Sequence, residues 1–169
     1  NELSPAPNPE WVELANPTAS AINLNGWTLQ RKSGNNWNTI YTYTQTIGAW
    51  GSGSEYLTVD FSPNTLPNVQ TSIRLVAANG TEVDRTTYVG AGSGNTWARF
   101  KHAQTGKPVD TDTDGNDFYI SLLPTKTAPN DRHRPRITVA KIANRVSAAP
   151  GDLIAYTVYY NNTDTGRAN

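Results

Sequence analysis

The sequence contains no cysteine and no methionine among its 169 residues. Without cysteine it has no disulfides, no thiolate zinc ligands and no cysteine nucleophile. No apolar run approaches the ~20 residues with which a helix spans a bilayer, so we expect no transmembrane segment. Because the printed chain lacks an initiator methionine, we expect a processed protein or a piece of a longer one.

A surplus of charge of either sign is also missing. The 14 Lys and Arg residues equal the 14 Asp and Glu residues, and the formal net charge is +0. No global field therefore recruits nucleic acid or an anionic membrane, and we expect no nucleic-acid partner. Hydrophobic residues make up only 36% of the chain, which predicts a thin core of short strands joined by polar turns.

Strand-like alternation opens the chain. In residues 10–15, Val12 and Leu14 face one side, which is typical of a half-buried strand. A second alternating run starts at Ile22 and changes parity at Asn25-Gly26, a pair that tolerates the positive φ of a tight turn or bulge. These runs predict two short strands at the nucleus of a β-sandwich, with its core made by Val12, Leu14, Trp27, Leu29, Ile73 and Leu75.

The same punctuation continues along the chain. The strongest hairpin signal is Asn79-Gly80, which separates two strand-like runs at 72–78 and 82–89. No long apolar pattern of helical period is present, and proline or glycine recurs about every ten residues. We predict an all-β protein, and many short strands at this spacing favour a sandwich over a barrel.

The composition changes after residue 127. Residues 128–135 have no apolar periodicity and are predicted as a linker, whereas 136–141 and 152–162 are strongly strand-like and are joined through Pro150-Gly151. The second of these strands is apolar on both faces, and such a strand needs cover on both. Either further strands beyond Asn169 or a neighbouring molecule must supply that cover. The predicted subunit contacts are Ile137, Val139, Ile154, Tyr156, Val158 and Tyr160.

Several of these pieces resemble the bacterial lamin-tail domain. The resemblance begins with Asn1-Glu2-Leu3, the strand from Glu10 to Asn16 and the strand from Leu24 to Leu29, and it extends over residues 1–130. Further pieces follow in the family's order: Ile73-Arg74-Leu75, Asn79-Gly80, Val83-Asp84 with Tyr88, Trp97-Ala98-Arg99, Asp110 to Phe118, Pro124-Thr125 and Pro129-Asn130. The resemblance implies an immunoglobulin-like β-sandwich over 1–127. Residues 136–169 resemble the start of an Ig-like repeat of unassigned function from bacterial envelope proteins, and they are too few to complete it.

The most ligand-like stretch is the acidic run from Asp110 to Asp117. Carboxylates at alternate positions before Gly115 match the first half of a calcium loop, but Ser121 stands where that loop needs a bidentate glutamate. The run is therefore either a possible calcium site or an Asx-type turn without metal. The candidate calcium ligands are Asp110, Asp112, Asp114 and Asp117.

Other candidate constellations have plainer interpretations. His102 and His133 have no partners at catalytic or metal-ligand spacing, and we expect them to be exposed. The basic run 132–136 can grip an acidic polymer or a lipid head group, or it can be a solvated linker. The aromatic residues Trp37, Tyr41, Tyr43 and Trp50 form either a sugar-stacking platform or part of the core.

These observations predict a non-enzymatic structural or adhesive protein, secreted or on the cell surface of a bacterium or archaeon. It would be a homo-oligomer or contact neighbouring surface domains, and its C-terminal strands would assemble a fibre. The alternative is an accessory module of a secreted hydrolase or nuclease that binds calcium or sugar.

Overall fold

The structure is a computed structural model that describes residues 1–5, 9–92, 94–134 and 137–162. Apart from one helical turn, its regular elements are strands, which confirms the all-β prediction. The elements are β1 (Glu2–Ser4), β2 (Glu10–Ala15), β3 (Ile22–Asn23), β4 (Thr28–Ser33), β5 (Asn36–Thr42), β6 (Thr46–Ile47), β7 (Tyr56–Phe61), β8 (Thr71–Val76), β9 (Glu82–Tyr88), β10 (Thr96–Arg99), α1 (Asp114–Asp117), β11 (Phe118–Ser121), β12 (Ile137–Ala143) and β13 (Tyr156–Asn162).

Two antiparallel sheets form an immunoglobulin-like sandwich. One has the strand order β11-β10-β1-β2-β7 and the other β5-β4-β8-β9, while β3 pairs with β6. Leu3 and Val12 from the first sheet and Leu29 and Ile73 from the second belong to one buried cluster. Because each sheet hides one apolar face against the other, the two sheets are stable only together.

The predicted turns lie where the sequence indicates them. Gly80 has φ +87° between β8 and β9, and Gly26 has φ +79° just before β4. A side chain with a Cβ is strained in this left-handed region, which explains glycine at both points. The turn at Gly26 also accounts for the change of parity, because the backbone leaves one strand there and enters another.

The predicted core is confirmed in its main features, and it has two further members. Val12, Leu29 and Ile73 are buried, and Leu14, Trp27 and Leu75 are partly buried against the same cluster. Tyr88 is fully buried although it was not predicted as a core residue, and Tyr43, predicted either for the core or for a sugar-stacking platform, is fully buried as well. β5 ends at Thr42, and the Tyr43 N–H donates to the Trp27 carbonyl at 2.8 Å. This turn directs the Tyr43 ring inward, so it is not part of an exposed sugar platform.

The outward face of β2 is also covered. Glu13 is fully buried, and its carboxylate accepts hydrogen bonds from the Asn1 side chain at 2.7 Å, from the Thr127 N–H and from the Thr58 hydroxyl. Burial raises the pKa of the Glu13 carboxyl above its ordinary value. Alternation alone predicted an open outer face, which residues near 127 in fact cover.

The sandwich continues into the segment predicted as a linker. Asn130 is 2% exposed, and its Nδ2 donates to the Arg99 carbonyl at 2.6 Å. A few residues further on, the Arg134 N–H donates to the Lys101 carbonyl at 3.1 Å. The chain is therefore tied to the end of β10 as far as Arg134. Among the described residues no helix is long and apolar enough to cross a membrane.

Candidate functional site

Strands β12 and β13 form a separate antiparallel hairpin. Their register places Val139 opposite Tyr160, Lys141 opposite Val158, and Ala143 opposite Tyr156. Since residues directly opposite each other project from the same face, one face combines Val139, Tyr156, Val158 and Tyr160.

Both faces of this hairpin are open to solvent. On the first face Val139 is 67% and Tyr160 81% exposed, and on the second Ile142 and Tyr159 are similarly open. Within the hairpin, the Lys141 Nζ lies 3.7 Å from the centroid of the Tyr156 ring. Such a two-stranded unit is marginal alone, and its exposed apolar surface is of the kind that marks an interaction site.

The structure brings together four of the six predicted contact residues, Val139, Tyr156, Val158 and Tyr160. Ile154 precedes the strand, because β13 begins at Tyr156 and not at residue 152. The side chain of Ile137 lies outside the described part of the structure. Between the two strands, Arg145 and Asp152 form an ion pair at 2.9 Å. This pair joins the segment after β12 to the segment before β13.

Strand β11 is an apolar open edge of the sandwich. This strand pairs with β10 alone, and in the described part of the chain its outer side makes no backbone hydrogen bond. Ile120 on β11 is exposed, as are Leu122 and Leu123 just after it. An unpaired edge with apolar side chains is a template for a further strand.

The other sheet edges are better protected. At β7, Asp60 forms an ion pair with Lys126. At β9, the Thr87 N–H already donates to the Asp114 carboxylate at 2.8 Å. The edge strand β5 is largely polar, with the sequence NWNTIYT. Charged side chains and occupied backbone groups of this kind oppose edge-to-edge pairing. Strand β9 does expose one apolar side chain, Val83, but it is partly occupied by Asp114, so β11 is the better candidate for an acceptor edge.

The acidic run and several dispersed family-like residues meet around Arg99. This side chain is 4% exposed; its Nη2 donates to both Asp84 carboxylate oxygens at 3.0 and 2.8 Å, and its Nη1 lies 2.9 Å from Asp110. Its guanidinium carbon also lies 4.4 Å from the Phe118 ring centroid. A buried charge needs paired partners, and this network supplies them while holding the acidic run against β9 and β10.

The four candidate calcium ligands have different surroundings. Asp117 is buried and accepts hydrogen bonds from the Thr111 N–H and hydroxyl, both at 2.7 Å, Asp110 contacts Arg99, and Asp114 contacts Thr87. The Asp112 carboxylate accepts no hydrogen bond from the described residues. No group of three or more His, Cys, Asp or Glu residues arranged to hold a metal is found in the described ranges. Calcium binding therefore stays a prediction, and these contacts account for an Asx-type turn without metal.

The remaining candidates are positioned as follows. His102 is exposed, whereas His133 is half-buried and pairs with Lys101 through a parallel β-bridge. In the basic run, Pro135 and Arg136 lie outside the described residues. The half-buried Trp50 contacts Tyr56 edge to face, with ring centroids 5.9 Å apart. The backbone contacts of Lys101 with the segment from Arg132 to Arg134 bring basic residues from two distant parts of the chain together. No local motif in the sequence indicated this grouping.

The fold is an Ig-like sandwich followed by a hairpin whose apolar side chains are exposed on both faces. Residues 1–90 match the model of the family described as Lamin Tail Domain. This is just over half of the chain, and the protein belongs to that family. The match ends before β10 and β11, which complete the five-stranded sheet. Among curated proteins, none matches the chain.

Proposed function

We propose that the protein is a non-enzymatic structural subunit of an extracellular fibre, in which the hairpin of one copy docks on the β11 edge of the next. The observation that carries this proposal is that the hairpin is apolar and exposed on both faces, next to a sandwich with a closed core. Donor and acceptor are different surfaces, so the contact is head-to-tail. Such contacts build a filament when their rotation does not close.

The two surfaces are compatible in chemistry, and each donor strand is long enough to cover the acceptor strand. β11 offers a row of unpaired backbone groups flanked by Ile120 and Leu122, and each hairpin strand has seven residues against the four of β11. A donated strand would extend the five-stranded sheet, satisfy that row of groups and cover the exposed isoleucine and leucine side chains. Addition of a strand to an open sheet edge is a common mode of protein recognition.

The placement outside the cell rests on composition and family resemblance. The cysteine-free, Thr- and Asn-rich all-β chain resembles surface modules of bacteria and archaea, and a fibre subunit at the cell surface would serve adhesion. The alternative, an accessory module of a secreted hydrolase or nuclease, requires no self-assembly.

Sedimentation velocity of charge variants tests the docking. Val139→Lys disables the donor face and Ile120→Lys the acceptor edge, because a buried lysine without a partner is costly. Each variant alone should stay monomeric under conditions in which the parent assembles. Mixing the two should give dimers, since each variant retains one working surface.

The matched control is Val146→Lys, which places the same charge on an already fully exposed side chain outside the strands. It should assemble like the parent. A parent chain that stays monomeric at high concentration would overturn the proposal and favour an accessory module or cover by further strands of a longer chain. A mixture of the two variants that contains no dimer would reject the head-to-tail arrangement.

A further inference from the structure

Basic side chains from two distant stretches meet on a small ribbon beside the sandwich. Lys101 is bridged to Pro108 in the antiparallel sense and to His133 in the parallel sense. The Lys101 N–H donates to the Arg132 carbonyl at 3.0 Å, and the His102 N–H donates to the Lys107 carbonyl at 2.9 Å. The resulting basic ribbon comprises Lys101, His102, Lys107, Arg132, His133 and Arg134.

The charges of the basic ribbon are largely unneutralised. Among the described residues, Lys101, Lys107 and Arg134 form no ion pair, and Arg132 reaches Asp131 only at 3.9 Å. Asp131 in turn accepts a hydrogen bond from the Tyr119 hydroxyl. In a chain with no net charge, this ribbon is therefore a local excess of positive potential, which attracts anions.

An aromatic side chain borders the basic ribbon. Trp50 Cζ2 lies 3.9 Å from the position that a Cβ would occupy at Gly106, inside the turn that leads to Lys107. The Lys107 Nζ donates to the Pro17 carbonyl at 2.7 Å, and the backbone N–H of Trp50 donates to the adjacent Thr18 carbonyl at 2.8 Å. These two bonds tie both residues to the Pro17-Thr18 segment and so place Trp50 beside the turn that carries Lys107, and the Trp50 side chain remains only half-buried.

We infer that the basic ribbon and Trp50 form a binding site for an acidic polysaccharide. Arginine and lysine donate charge-assisted hydrogen bonds to carboxylates, and the amphipathic indole offers a flat surface on which the apolar face of a sugar ring can pack. Single-stranded nucleic acid is bound through several accessible aromatic side chains on which successive bases stack. Tyr119 also borders the ribbon, with its ring centroid 5.2 Å from the Arg132 guanidinium carbon, but it is buried, whereas the half-buried Trp50 can offer a ring face. The inference does not depend on fibre assembly.

Titration calorimetry of the full chain with an oligogalacturonide, at low salt, tests the inference. We expect saturable binding that weakens roughly 20-fold between 50 and 200 mM salt, as for about three ionic contacts. A neutral galactan of the same length should not bind. An oligothymidine of equal charge should bind more weakly than the oligogalacturonide, and equal or tighter binding of the DNA would overturn the choice of polysaccharide.

Two matched triple variants locate the site. Lys107→Gln/Arg132→Gln/Arg134→Gln should abolish binding, because these three residues alternate with the bridged Pro108 and His133 and so share one face of the ribbon. Lys32→Gln/Arg85→Gln/Arg145→Gln removes the same number of charges elsewhere and should reduce binding only slightly. Trp50→Ala should weaken oligogalacturonide binding several-fold and leave oligothymidine binding by charge unchanged. Equal loss in both triple variants, or no binding by the parent at low salt, would refute the site. A thermal melt of each variant shows that it is folded.

Discussion

The pairs β8–β9 and β12–β13 are similar hairpins in very different surroundings. Both are antiparallel with strands of six or seven residues, and both carry apolar side chains. Ile73 on β8 is buried against the opposite sheet, whereas Val139 on β12 is exposed. Strand pairing is thus equally regular in both regions. The difference is a second layer, and burial between layers is what stabilises a sheet in water.

The largest expected contrast comes from the same leucine substitution on β4, in the core of the sandwich, and just before β13, in the hairpin region. Leu29 is 2% and Leu153 83% exposed. Leu29→Ala should lower the free energy of unfolding by about 3–5 kcal/mol, because it leaves a cavity between the sheets. Leu153→Ala should change it by less than about 0.5 kcal/mol. Urea unfolding followed by tryptophan fluorescence measures both, and similar losses would show that the hairpin shares the sandwich core.

A smaller contrast concerns two asparagines. The Asn130 side chain is buried and bonded to the Arg99 carbonyl, whereas the exposed Asn144 side chain accepts a hydrogen bond from the Ala155 N–H at 3.1 Å. Asn130→Ala should cost about 1–3 kcal/mol, because it leaves a buried carbonyl unpaired. Asn144→Ala should lower the free energy of unfolding by only a few tenths of a kcal/mol in the same experiment, because its side chain is exposed. If Asn130→Ala is neutral, residues near 130 are a loose linker and not part of the sandwich.

Removal of a buried hydroxyl should have a pH-dependent effect. The Tyr43 hydroxyl is buried without a hydrogen-bond partner among the described residues, and desolvation followed by repulsion from Tyr41 raises its pKa above the ordinary 10.0. The unfolded chain therefore ionises first, and this contribution to stability is lost as pH rises above 10. At pH 7, Tyr43→Phe should leave the free energy of unfolding unchanged or raise it. Between pH 7 and pH 11 the free energy of unfolding of the variant should rise by about 1 kcal/mol relative to that of the parent.

Denaturant titrations at both pH values measure this gain. Tyr160→Phe, in the hairpin, is the matched control and should have little effect at pH 7, since that ring is 81% exposed. A parent and Tyr43→Phe variant whose stabilities run parallel from pH 7 to 11 would contradict a desolvated Tyr43.

Calcium should have the smallest effect, and only on the sandwich. Extracellular calcium sites often bind in the millimolar range, and a several-fold excess over such a dissociation constant stabilises the fold by about 1 kcal/mol. Thermal scans in chelator and in calcium measure the shift. Asp112→Asn should abolish it, since this candidate ligand has no other partner among the described residues. Superimposed scans of the parent would leave the acidic run as a turn without metal.

Much of the fold follows from local features of the chain. Alternation at Val12 and Leu14 predicted β2 and its inward face, and Asn79-Gly80 predicted the β8–β9 hairpin, because the period of a strand and the φ of a turn depend on neighbouring residues. The sequence from Tyr156 to Tyr160 also predicted that both faces of the hairpin are apolar. The ends of the strands were harder to predict from the sequence. Strand β13 begins at Tyr156, where pairing with β12 begins, and not at residue 152.

The candidate sites depend on contacts that no local pattern contains. The Asn1 side chain meets Asn130 across 129 positions of sequence, Glu13 is covered by residues near 127, and Lys101 lies beside His133. Sequence alone determined which segments are strands and which faces are apolar. Only the tertiary structure decided which faces are covered, which charges are paired and where basic residues gather. Burial and ion pairing depend on distance in space, and the packing of the two sheets sets that distance for residues far apart in the chain.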